Sequence, residues 1–579
     1  MKQAALSGTR RNFGLRDHAG KGKKMSAFRY SLTVRLQNGE EKIDNEERIV
    51  WSGPEKGGSL RTAELHASCI VPDGILEDAH ASIPVKVSED TMIFMNGYQT
   101  WTYCPEYTVH DRIRGLHGLP KAGVRAFDLD RYGDYHFVDY PYREGVTHGI
   151  SYCYFRKGAR YRLIASLSEE PGYTLFSYDA GRGELSIRRD CAGIRASGSY
   201  PAFDLFFAEG EEDAVFDAWF EKLGIVPHKA APLTGYSSWY NRYENITETD
   251  ILKDLEGCAG VLSPGDLFQV DDGWEKAVGD WLRPDEKKFP HGMKFLADRI
   301  HEKGFMAGLW LAPFAVAKKS SYFKEHGEQL YMRNGKPFSA GCNWGGFYAL
   351  DIDDPDAEAY IRRVFRRVFD EWGFDLVKLD FLYAAAFFGN EQETRAGRMI
   401  RAMKLLREVC GDKLILGCGV PLMPAFGITD YCRISCDVGL DWDGKGIMKY
   451  IHRERVSTRQ AIGNAIFRRQ LNGRAFGSDP DVFFLRDENL DLSEEDRELL
   501  AASCALFGTI LLNSDDMSLY TEEKKRAWEK VQKIRSAGDV RVSHELTPDG
   551  KKELTVFYET DGQTFSLRVP IFEKHGGKR

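Results

Sequence analysis

Beyond Pro232, carboxylates stand at the ends of a series of short apolar runs, where their types and spacing could do chemistry. One run ends in Asp271-Asp272-Gly273-Trp274, another in Lys378-Leu379-Asp380, a third near Cys418, and a fourth with Arg433, Ser435 and Asp437. Two later runs are followed by Asp479 and Asp481, and by Asp515 and Asp516. No histidine stands at any of these ends, whereas zinc and iron sites normally draw on His or Cys. That argues against a metal-dependent hydrolase. No Gly-x-Ser-x-Gly elbow and no Ser–His arrangement is visible either. What remains is carboxylate chemistry. A pair of Asp or Glu side chains flanking a glycosidic bond is the minimal machinery for cleaving it.

Lys378 and Asp380 are two apart, so on a strand both point the same way. A nearby ammonium lowers a carboxylate's pKa and keeps it ionised, as a nucleophile requires. The competing account is a buried Lys–Asp pair that only fills space. Arg433 and Asp437 share an even spacing; Asp437 is a candidate general acid/base, and Arg433 could bind sugar or carboxylate. Asp441 is a rival for the acid/base role. The turn "DDGW" offers Asp271 and Asp272 as charged acceptors for vicinal sugar hydroxyls, or as helix caps. "DIDDPDAE" at Asp351 lacks the glycine and terminal glutamate of a calcium loop, and is read as a helix cap.

These residues need a frame to bring them together. Eight strand-like runs lie between 231 and 535: "TGYSSWY", "GDLFQVDDGW", "FMAGLWLAPF", "FDLVKLDF", "KLILGCGV", "YCRISCD", "GRAFGSDPDVFF" and "ALFGTILLNSDD". Helical stretches separate several of them. "HGMKFLADRIHEKG" ends at Gly304, and "DDPDAEAYIRRVFRRVFDEWG" opens on Asp354-Pro355 and ends at Gly373. Eight runs over this length predict a central (β/α)8 TIM barrel, whose catalytic side chains project from the C-terminal strand ends. A doubly wound sheet would show a Gly-rich phosphate turn, and none is present. Residues 25–230 alternate short strands with Gly, Asp and Asn turns, which predicts an N-terminal β-sandwich. Residues 536–579 return to strands and predict a small C-terminal antiparallel β-domain. Residues 1–24 are basic and polar, with no apolar core of a secretory signal, and are expected to be a disordered or non-native tail.

Composition narrows the class further. The 579 residues are 42% hydrophobic and 29% charged, with a net charge of -8, so there is no basic footprint for nucleic acid or an anionic membrane. No apolar run is long enough to span a bilayer. The 11 cysteines are scattered, no CxxC pair occurs, and free thiols in the cytoplasm are the expectation.

The segments "GYSSWY", "LFQVDDGW", "GLWLAPF", "LVKLDF", "GCGVPL" and "RISCDVGLDW", in this order, resemble glycoside hydrolase family 36, the α-galactosidases of clan D, and in particular the shorter bacterial and archaeal type. The resemblance implies Asp380 as nucleophile and Asp437 as acid/base. It implies that Asp271 and Asp272 bind the C4 and C6 hydroxyls of a terminal galactose, and that Lys378 and Arg433 hold hydroxyls and tune the carboxylates. Trp310, Cys418 and Trp239 would line the pocket, and Trp101 of "GYQTW" would reach it from the β-domain. Leu379 and Phe381 beside the nucleophile depart from the "KWDMN"-like text of the larger members.

The expected reaction is retaining hydrolysis of α-linked galactose from an oligosaccharide or glycoside, with the two carboxyls about 5–5.5 Å apart and no metal or organic cofactor. An α-N-acetylgalactosaminidase, another α-glycosidase or a transglycosylase keeps the same machinery. A non-catalytic sugar-binding protein would be expected to have lost one of the two carboxylates. The resemblance also leaves room for a homo-oligomer.

Overall fold

The computed structural model describes residues 25–53, 60–116, 119–226, 230–446, 449 and 451–573. The expected tail at 1–24 lies outside the described residues. The first part of the chain is antiparallel β-structure. Along Leu60–Pro84, buried Ala63, Leu65, Ala67, Cys69 and Val71 alternate with exposed Glu64, His66 and Ser68, the period-two pattern of a strand with one wet face. This strand is central in a continuous ladder. The order runs from Glu106–Tyr107 through Met92–Met95, Tyr152–Lys157, Arg160–Ser166, Arg195–Gly210, Leu60–Pro84, Glu184–Arg189 and Thr174–Asp179 to Val146–Ile150. Met25–Leu36 joins it through Leu60–Pro84 and pairs on its other side with Gly39–Val50. Phe28, Leu32, Leu65, Phe176, Ile187 and Phe203 belong to the core packed beneath it.

After the helix Glu212–Leu223, whose C-cap Gly224 takes φ 66°, the pairing becomes parallel. Leu233–Ser237, Leu267–Val270, Met306–Leu311, Leu376–Leu379, Leu414–Gly417, Tyr431–Arg433 and Gly477–Asp479 pair in succession. Ile510–Asn513 pairs with Leu233–Ser237 and with Val482–Phe483. Each of the eight apolar runs overlaps one of these strands, except "GRAFGSDPDVFF", which holds two, Gly477–Asp479 and Val482–Phe483. The two ends of the order, Gly477–Asp479 and Val482–Phe483, are parted in the chain only by Pro480 and Asp481, so the sheet curls back toward itself. Proline there has no N–H for the ladder, and Asp481 takes φ 86°.

Helices cover the outer face: Glu248–Cys258, Gly292–Glu302, Pro355–Arg366, Arg395–Cys410, Thr458–Phe467, Glu494–Phe507 and Glu522–Arg535. Side-chain oxygens start most of them. Thr247, Asp354, Thr394, Ser457 and Thr521 each accept from a first-turn N–H, and Ser493 with Asp496 forms a capping box. Asp354 therefore caps a helix as read from its Pro355 neighbour, while Asp351 and Asp353 pair with Arg398. Gly304 and Gly373 end their helical stretches at φ 83° and 85°. A small antiparallel sheet, Ala315–Ala317, Ser339–Gly341 and Phe347–Ala349, is inserted after the third parallel strand and was not foreseen. Gly538–Leu546, Lys552–Thr560 and Gln563–Arg568 form a last antiparallel sheet. Among the described residues no helix is long and apolar enough to cross a membrane. All eleven cysteines are free.

Candidate active site

The C-terminal ends of the parallel strands open on a cavity of about 390 Å3, in the range of small-ligand pockets. Asp380 directly follows Leu376–Leu379, and its neighbour Phe381 turns the chain away at φ 52°. Asp380 Oδ1 accepts from the Phe381 N–H at 2.8 Å, and Oδ2 accepts from Trp310 Nε1 at 3.2 Å. Asp437 sits beyond Tyr431–Arg433 and accepts from Arg433 Nη1 at 2.8 Å. Its side chain is 35% exposed, whereas Asp380 is 8% exposed. Both line the cavity, as do Asp271, Asp272, Lys378, Trp101, Trp239 and Trp310.

Lys378 lines the cavity and acts on Asp380, but not by a direct pair with it. Its Nζ donates to Asp271 Oδ2 at 2.9 Å, so the ammonium's direct partner is Asp271 and not Asp380. Asp271 also accepts from Gln269 Nε2 and from the Asp272 N–H, and is nearly fully engaged by protein. Asp380 consequently does not have the lowered pKa expected. Burial raises it, Lys378 opposes that rise, and the charge of Asp437 adds to it. Burial works most strongly against the charge of Lys378, but Asp271, Asp380 and Cys418 together outweigh it, and the ammonium's pKa lies well above the ordinary lysine value.

Arg433 and Cys418 do not line the cavity; they stand behind its wall. Arg433, 2% exposed, divides its guanidinium among Asp479, Asp437 and Asp481, and so supports the carboxylate from below. With that burial, Arg433 is not part of a surface ion pair. Cys418 Sγ accepts from Trp101 Nε1 at 3.4 Å and touches Asp380 on its other side. Asp441 accepts from the Gly444 N–H and faces a neighbouring cleft, so it is no rival to Asp437 in this cavity. Asp515 and Asp516 are engaged elsewhere, with Arg486 and Lys253.

Three segments distant in sequence complete the walls. The "GYQTW" loop is pinned by Thr100, whose N–H donates to Val420 O and whose Oγ1 accepts from the Gly419 N–H. This puts Trp101 edge-on to Phe381, with centroids 5.1 Å apart. The inserted sheet carries Cys342, Asn343 and Trp344, and Trp344 Nε1 donates to Asp272 Oδ2 at 2.7 Å. The loop before Thr458–Phe467 adds His452, Glu454 and Arg455; Glu454 accepts from Thr102 at 2.8 Å and Tyr135 at 2.7 Å. Sequence reading missed Tyr132, Asn343, Trp344, His452 and Glu454. The one available signal was Trp344 inside "GCNWGG", an aromatic between glycines, where it takes φ 56°. Among the described residues no group of three or more His, Cys, Asp or Glu is placed to hold a metal ion.

Comparison with known proteins agrees with this geometry. Residues 236–403 match the Melibiase family. The α-galactosidase Mel36A of Lactobacillus acidophilus is 30% identical over 152 residues, 25% of this chain and 20% of that protein. The A type blood α-D-galactosamine galactosaminidase of Flavonifractor plautii is 34% identical over 125 residues, 20% of this chain and 11% of that protein. The aligned parts thus span a fifth or less of these curated relatives. A solved structure covers far more: TtGalA, an α-galactosidase from Thermus thermophilus in complex with p-nitrophenyl α-D-galactopyranoside, superposes with a TM-score of 0.68 at 26% identity. That superposition covers 92% of this chain and 98% of the Thermus protein. A Melibiase-like segment at residues 236–403 thus lies within a chain that shares its fold, over nearly its whole length, with a solved α-galactosidase.

Proposed function

We propose that this protein is a retaining α-galactosidase that releases terminal α-linked galactose from oligosaccharides or glycosides. The observation that carries the reading is that Asp380 and Asp437 face one aromatic-walled cavity at the C-terminal ends of parallel strands. The curled parallel sheet, within residues 231–535, is read as a (β/α)8 barrel. It is flanked by a β-sandwich over 25–230 and a small β-domain over 536–579, a division supported by the change from antiparallel to parallel pairing and back. Free, scattered cysteines support a cytoplasmic location.

In the reaction, Asp437 protonates the glycosidic oxygen while Asp380 attacks C1, breaking the bond to the aglycone and forming a covalent glycosyl-enzyme. Asp437, now a carboxylate, takes a proton from water as its oxygen attacks C1, which releases galactose with retained configuration and frees Asp380. Asp271 and Asp272, with Lys378, are the proposed hydroxyl anchors, and Trp101, Trp239 and Trp310 the apolar walls. Arg433 holds Asp437 in place, and Cys418 does the same for Asp380 and Trp101.

The test is hydrolysis of p-nitrophenyl α-galactoside beside the α-N-acetylgalactosaminide and α-glucoside, by wild type and Asp380→Ala. Preferential release from the galactoside is expected, lowered by roughly a thousandfold or more in the variant. A 2-amino or 2-acetamido sugar is the second reading, favoured by the match to the Flavonifractor galactosaminidase. Preference for the acetamido substrate would establish it, and a folded protein that cleaves none of the three would defeat both.

A further inference from the structure

Asp272 has a second carboxyl behind it. Glu275 follows the "DDGW" turn, and the two side chains are 4% and 6% exposed. The turn that joins them is tight: Gly273 takes φ 111°, and a Cβ there would lie 2.6 Å from the Glu244 carbonyl oxygen. The Gly273 N–H points toward Glu275 Oε2 at 3.4 Å. The buried carboxyl groups of Asp272 and Glu275 lie close enough to act on each other. Carboxylates are acceptors only, so the two can bond only through a shared proton.

The charge of Lys288 favours ionised Glu275, but burial outweighs it and no ion pair forms. Lys288 Nζ spends its hydrogen bonds on the carbonyls of Glu244 and Gly273. Lys378 is held by Asp271. Glu244, exposed at the cavity rim, adds negative charge. Among the described residues no lysine or arginine forms an ion pair with Asp272 or Glu275. Trp344 Nε1 satisfies Asp272 Oδ2 without supplying charge.

We infer that Glu275 is a positioning residue that shares one proton with Asp272, so that this end of the cavity meets a neutral sugar hydroxyl as a singly charged acid pair. The inference rests on the α-glycosidase reading of the same cavity. Burial, ahead of the neighbouring carboxylate, raises the titration of Asp272, and burial raises that of Glu275. The proton is therefore kept above the ordinary carboxylate range. Once it is lost, two uncompensated charges sit side by side in a buried wall, and the wall gives up the fixed geometry that binds sugar.

The experiment compares wild type with Glu275→Gln over a range of pH. Expected is a wild-type KM that is flat at low pH and rises on the alkaline side, by up to about tenfold per pH unit. The amide cannot titrate, so the rise disappears in Glu275→Gln, with the change in KM rather than kcat. A wild-type KM flat across the range, or the same rise in the variant, overturns the inference. Should Glu275→Gln not fold, calorimetry on Asp380→Asn, which cannot titrate at the nucleophile or turn over, gives the answer. Binding of p-nitrophenyl α-galactoside on the alkaline side should take up part of a proton, seen as a dependence of the heat on buffer ionisation. No uptake overturns the inference. Wild type that cleaves no α-glycoside, with no binding by Asp380→Asn, instead defeats the functional reading on which it rests.

Discussion

At the scale of single residues, the ion pair between Lys378 and Asp271 sets the electrostatics of the cavity. As the proposed nucleophile Asp380 must be ionised, yet burial and Asp437 both raise its pKa, and Lys378 is the cation that opposes them. With a raised pKa in the folded protein, the ionised fraction of Asp380 falls as pH drops toward that value. The acid limb of the kcat/KM profile should therefore lie above the ordinary aspartate range. Lys378→Met removes the opposing charge, so the limb should move to higher pH, as measured by p-nitrophenol release across pH. An unmoved limb would show that another group sets it. The same ionisation bears on stability. A carboxylate whose folded pKa is raised favours the fold at low pH and weakens it as pH rises through the folded value.

At the scale of elements, the turn after Leu414–Gly417 is a tight constraint on the cavity wall. Gly419 takes φ 56°, and a Cβ there would stand 2.8 Å from the Phe381 nitrogen and 2.9 Å from Trp101 Cζ2. Its N–H also donates to Thr100. One residue thus spaces the turn after Asp380 from the aromatic that the β-structure contributes. Gly419→Ala should cost about 1–3 kcal/mol in folding stability from the left-handed backbone alone. It should also lower kcat/KM by displacing Trp101 or Phe381. Chemical denaturation and galactoside hydrolysis check the two effects separately, and an alanine variant with wild-type values in both would refute the constraint.

At the scale of the whole molecule, a buried network ties the first antiparallel sheet to the last one. Glu106, 1% exposed, accepts from Arg156 through both its oxygens, from Tyr154, and lies 2.7 Å from His544 Nδ1 of the last sheet. Burial by itself would raise the carboxyl's pKa, but Arg156, with His544 behind it, holds it well below the ordinary range. A lowered folded pKa means stability that is present above the unfolded value and lost as pH falls. Glu106→Gln leaves Arg156 buried without its counter-charge and should cost about 3–5 kcal/mol. Thermal unfolding of wild type and variant at neutral and acid pH tests this: the gap between the two melting temperatures should narrow on acidification. A gap independent of pH would place the cost elsewhere.

Much of the framework was legible because it is written in local pattern. Eight apolar runs, helix punctuation at Asp354-Pro355 and Gly373, and period-two alternation along Leu60–Pro84 depend on residues close in sequence, whose spacing directly reports which face is buried. The same holds for Lys378 and Asp380, two apart at the end of one strand. Tertiary structure alone decided which charge meets which. Lys378 lies 107 positions from Asp271 and pairs with it, and Arg433 binds Asp479 and Asp481 across a strand boundary as well as Asp437 near at hand. Tyr132, Trp344 and Glu454 joined the cavity from loops that carry no periodic signal. Local sequence determines the elements, because backbone hydrogen bonding and side-chain burial repeat with a short period. The pKa of a buried carboxylate depends instead on every charge within a few ångströms, and only the folded chain brings those charges together.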